Sequence, residues 1–173
     1  MKQLQSLKNL NRNQVLSSFL VFGSRLDVLP ANISPLGTFG FFGNPLLFFV
    51  SILAFDIGVK GFYPGVLFTY LGFAFYPLLG QLTKNHTKSQ LLALPVASFL
   101  FFIMSNFGVW WYWYDHTWPE LMLCYSLAVP FYTRTLIGDL GFGYGYIVIR
   151  NFKRISALLN RSFSSKLFLV KTT

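Results

Sequence analysis

Between Lys88 and Asp115 no residue carries a charge, and the same is true between Lys60 and Lys84. A helix rises about 1.5 Å per residue and a hydrocarbon core is about 30 Å thick, so each of these stretches is long enough for one crossing of a bilayer. Over the whole chain 54% of residues are hydrophobic and 11% charged. That is too little polar surface to cover a water-soluble globule of this size. The sequence predicts an all-α integral membrane protein.

The net charge of +9 fits anionic lipid, nucleic acid or loop charge, and its distribution separates them. Lys2, Lys8 and Arg12 lie at the N-terminus, Lys84 and Lys88 in one short loop, and six more between Arg150 and Lys171. This is a loop pattern, which argues against a nucleic-acid partner and for the lipid bilayer. Cys124, the one cysteine, allows neither an intrachain disulfide nor a thiolate cluster. His86 and His116 stand apart with no second ligand at metal spacing, so no metal or cofactor is expected. A basic head precedes the apolar run Val15 to Phe22, but the cleavage site is poor and further spans follow. An uncleaved first helix is expected.

That helix is predicted from Gln14 to Leu29, closed by Pro30 and Asn32. Residues 34–44 are too few to span alone, and the Asn44, Pro45 pair separates them from a second apolar run that ends near Val59. A helix is predicted from Pro64 to Leu82, another from Ser89 to Trp113, and a long one, kinked or tilted, from Pro119 to about Ile149. If residues 34–59 formed one span, Lys2, Lys8 and Arg12 would lie outside together with Lys60. If they form a short helical hairpin, six helices result, both termini are cytoplasmic, and Lys60 faces out. The six-helix scheme is adopted. It divides the chain into a basic cytoplasmic N-terminus (1–13), a six-helix membrane domain (14–150) and a basic amphipathic cytoplasmic tail (151–173), in the cell's plasma membrane.

In this scheme the outer helix ends carry Asn32, Asp56, Tyr63, Asn106 and the aromatic run from Trp110 to Trp118. Asn106, Trp110 and Trp113 follow i, i+4, i+7 spacing and share one helix face, which suits a cleft with an amide floor and indole walls. An interfacial aromatic belt accounts for the same residues. Asp56 reads either as a helix-end carboxylate or as a polar anchor at the cleft mouth. Arg134 falls mid-span, where a guanidinium costs roughly 2.5–3.5 kcal/mol. It is therefore expected to be a compensated buried charge, either a lock between helices or a coupling group. Asp139 is about 140° around the same helix, so partners are sought on other helices. Gly138, Gly141 and Gly145 make a small-residue stripe for close helix packing. No HExxH, GxSxG, phosphate-binding loop or carboxylate pair is present, so an enzyme is not expected.

Several segments together carry a family resemblance. They are Pro30 to Pro35 followed by GTFGFFGN, Asp56 with Gly58, FFIMSNFGVWWYW from Phe101, and CYSLAVPFYTRTLIGDL from Cys124. Over about Leu26 to Ile149 the chain resembles an uncharacterised family of small bacterial multi-pass proteins thought to transport solutes. These are similar in turn to the substrate-binding S components of energy-coupling-factor transporters. The resemblance implies a six-helix subunit that captures a small solute from outside and passes it to a transmembrane scaffold driven by ATPase subunits. Helix 1 lacks the Ala-x-x-x-Ala stripe with which S components often dock.

Overall fold

A computed structural model describes the backbone of residues 12–26, 30 and 32–170, and side chains within 16–152 of these except 17. The described residues form six helices and no strand. They are α1 (Arg12–Gly23), α2 (Leu36–Phe42), α3 (Pro45–Phe55), α4 (Val66–Leu82), α5 (Thr87–Trp113) and α6 (Trp118–Val170). Two are long and apolar enough to cross a membrane, Thr87–Trp113 and the part of α6 from Trp118 to Phe152.

Residues 34–59 form two helices. The chain breaks at Gly43 and Asn44, where the Asn44 side chain accepts from the amides of Leu46 at 3.0 Å and Leu47 at 3.2 Å. That bond caps α3, and Pro45 follows where its missing N–H costs nothing. Helix α3 widens at its end into a π-turn, Asp56–Lys60, and stops at Gly61 with φ +74°. Helix α1 ends earlier than its apolar run suggests, because the chain turns through Ser24 and Arg25. Helix α6 passes Pro130 without leaving the helical conformation.

Helix α2, only seven residues long, sits against α4 and α6. A methyl group on Gly37 would strike the Asp139 carboxylate and the Tyr76 ring, one on Gly40 the Phe48 ring, and one on Gly80 of α4 the carbonyl of Phe41. So short a helix presents unpaired backbone ends, and these close approaches enclose it in protein. Phe41, Phe48, Ile52, Phe73, Tyr76 and Leu94 form the core around it. Helix α4 packs along α5 and α5 along α6, while α6 remains open on its other side. Of its most apolar eighteen-residue stretch 11% is buried, against 33% for α5.

The predicted amphipathic tail cannot be followed, since side chains beyond Phe152 lie outside the described residues, as does the N-terminus up to residue 11.

Candidate functional site

Between the first turn of α4, the second half of α5 and residues 128–135 of α6 lies a cleft of about 300 Å³. Asn32 and Tyr63 come from the connecting segments and Thr69 from α4; α5 supplies Phe101, Phe102, Ser105 and Asn106; α6 supplies Ala128, Phe131, Tyr132 and Thr135. No lining residue is charged. The Tyr132 ring stacks on Phe102 at 4.6 Å, and the Tyr63 hydroxyl donates to Thr69 Oγ1 at 2.7 Å. Ser105 Oγ donates to the Phe101 carbonyl at 2.8 Å, and the Asn106 amide nitrogen to Phe102 O at 2.8 Å. Both groups thereby spend donors on their own helix, and their acceptor lone pairs remain for a guest. Asn32 reaches the cleft from a left-handed backbone conformation, φ +67°, which asparagine tolerates better than most residues.

Of the five residues expected to border a pocket, the cleft gathers Asn32 and Asn106 and not Asp56, Trp110 or Trp113. The shared helix face is not enough: the lining of α5 ends at Asn106, and the two indoles belong to the turns beyond it. Trp110 packs on Phe107 and on His116, with ring centroids at 5.4 and 5.3 Å, and Trp113 is about half exposed beside the Gly65 turn. The indole nitrogen of Trp110 is buried and finds no hydrogen-bond partner among the described residues.

Asp56 is buried and already paired within the bundle. Arg25 Nη2 meets its Oδ1 at 2.8 Å, and Arg25 Nη1 its Oδ2 at 3.3 Å. The Tyr70 hydroxyl donates to the same Oδ2 at 2.8 Å. The Arg25 guanidinium also lies over the Phe55 ring, 5.0 Å from its centroid. One carboxylate thus ties the end of α1 to α3 and α4. Arg25 escaped the sequence reading because it lies inside the run assigned to helix 1. Its signal was a lone cation in an apolar stretch, matched by a lone aspartate in another.

Arg134 is a correction. It is exposed, and it makes no hydrogen bond or ion pair among the described residues. The physical reason is the 140° offset itself: α6 packs through Asp139, so Arg134 turns outward. Asp139 is buried as expected, and its partner is on another helix, the Tyr76 hydroxyl of α4 donating at 2.5 Å.

The glycine stripe also needs correction. Gly138 packs against the backbone of Ser34, 2.9 Å from where a β-carbon would stand, but Gly141 and Gly145 have nothing within 4 Å. The glycine of α6 that the sequence reading missed is Gly143, where a methyl group would strike Leu94.

A family model described as "Family of unknown function (DUF6580)" matches residues 8–157. No curated protein and no solved structure matches the chain. The family match brings no activity with it.

Proposed function

We propose that this chain, which belongs to the DUF6580 family of unknown function, is a multi-pass membrane protein and the solute-binding subunit of a transport system. It takes up a small solute at the outer face, in the manner of an energy-coupling-factor S component, and a transmembrane scaffold with ATPase subunits supplies the energy. The observation that carries this reading is the cleft, about 300 Å³ and lined by aromatic rings, hydroxyls and amides. A volume of that size, apolar with a few converging polar groups, is the usual form of a small-molecule site. With no charged lining residue, it suits an uncharged solute with a flat or apolar part for Phe102 and Tyr132 and a donor for Asn106.

The two long apolar helices, Thr87–Trp113 and Trp118–Phe152, and the wide apolar exposure of the bundle support the bilayer reading. With Lys84 and Lys88 inside, the cleft opens outward and both termini are cytoplasmic. One set of observations favours a different role: Arg25 and Tyr70 bond to Asp56, and Tyr76 separately to Asp139, as helix locks do in a structural or assembly protein.

Purification in mild detergent with mass spectrometry of retained small molecules tests the proposal. A non-lipid compound should accompany the wild type and be lost from Asn106→Leu at an unchanged unfolding midpoint. Recovery of lipid alone with both proteins would refute solute binding and leave the structural reading.

A further inference from the structure

On α6, Leu123, Leu127, Pro130, Arg134, Gly141 and Val148 recur at three-, four- and seven-residue steps, so they share one face, and every one of them is exposed. At the middle of this apolar face stands Arg134, unpaired among the described residues, with about 24 Å of helix between it and either Trp118 or Arg150. Below it, Gly141 leaves room for a close neighbour, since a methyl group there would meet nothing within 4 Å. The face lies beside the cleft: of the lining residues, Ala128, Tyr132 and Thr135 point about 100–160° from Arg134, and Phe131, about 60° away, marks the border.

We propose that this face of α6 docks a membrane-spanning helix of a different protein, and that a carboxylate on that helix pairs with Arg134. This deepens the bilayer reading above and rests on it. Charge complementarity chooses the occupant. Half of a hydrocarbon core is about 15 Å, so a phosphate headgroup lies well beyond the mid-span guanidinium, which calls for an anion at its own depth. Among the described acidic residues a second copy of the chain does not supply one. The five acidic residues of the sequence are Asp27, Asp56, Asp115, Glu120 and Asp139. Asp56 and Asp139 are buried in pairs within the bundle, Asp115 precedes α6, and Glu120 lies in its first turn. Asp27 lies outside the described residues, just before Pro30 and not on α6. A two-fold pair of α6 faces, parallel or antiparallel, would bring Arg134 toward Arg134. The partner is therefore another chain, one with an aspartate or glutamate inside a span.

The test is photo-crosslinking of the full-length protein in its own cells, with the crosslinking residue at Leu127 or Ile137 and, as control, at the exposed Leu92 of α5. Adducts from α6, and not from Leu92, should join a second protein through a peptide that contains a membrane-embedded Asp or Glu. Arg134→Ala should lower their yield at least tenfold, and Arg134→Asp combined with an Arg at the partner's acid should restore it. Because Arg134 makes no bond among the described residues, Arg134→Ala should leave the unfolding midpoint of the isolated protein unchanged in detergent. Adducts with lipid alone or with a second copy, or partner adducts indifferent to Arg134, would overturn the proposal, as would a fall in that midpoint. Alkaline carbonate extraction separates the two levels. Release of the protein would sink the bilayer reading, whereas retention with lipid-only adducts would sink only the docking face.

Discussion

Arg25 and Asp56 hold each other by two contacts, and the Tyr70 hydroxyl adds a third to the same carboxylate. Removing one member of such a buried pair leaves the other charge without compensation, which costs about 3–5 kcal/mol. Asp56→Ala and Arg25→Ala should each lower stability by that order, read as a shift in the unfolding midpoint in detergent. The double variant should lose less than the sum. Glycines give a second contrast at this scale. Gly80→Ala drives a β-carbon into the Phe41 carbonyl, a backbone atom that cannot rotate away, while Gly141→Ala enters open space. The first should cost about 1–3 kcal/mol or more and the second close to nothing, checked by the same midpoints. Sequence spacing alone treats these glycines alike.

Among the elements, α2 is the one whose existence depends most on its neighbours. Seven residues cannot sustain an isolated helix in any solvent that competes for its backbone, and this one is fixed by Gly37, Gly40 and Gly80 letting α4 and α6 come close. Helix α3, by contrast, carries its own start signal. Asn44→Ala removes an acceptor shared by two amides and should cost about 1 kcal/mol, whereas Asn44→Asp should retain most of the cap; thermal unfolding of the two variants distinguishes them. Element boundaries were legible wherever such local chemistry set them, as at Asn44, at Leu82 and at Trp113. They were not legible at α1, which ends in a turn just before Arg25 meets Asp56, a contact 31 residues away.

At the scale of the whole molecule, the loop after α4 and the turn between α5 and α6 lie at opposite ends of α5, about 40 Å apart along its axis. The proposed orientation makes those ends chemically different in an intact cell. With Cys124 replaced by serine, a cysteine at Thr117 should react with an impermeant thiol reagent from outside, and one at Asn85 only after the membrane is opened. Both positions are exposed. The reverse pattern would invert the topology, and equal reaction without permeabilisation would remove the membrane from the description.

Apolar runs, a proline after an asparagine and long stretches without charge were enough to predict an all-helical chain and roughly where its longer helices lie, because these depend on neighbours in sequence. The candidate cleft was half legible: Asn32 and Asn106 were foreseen, but Phe102, Tyr132 and Thr135 were not, since each is an ordinary residue of an apolar helix until another helix faces it. Which charges pair was decided by the tertiary structure alone. Arg25 finds Asp56, Asp139 finds Tyr76 and Arg134 is left outward, because helical periodicity fixes the angle between residues on one helix but not which side of that helix the rest of the bundle will cover.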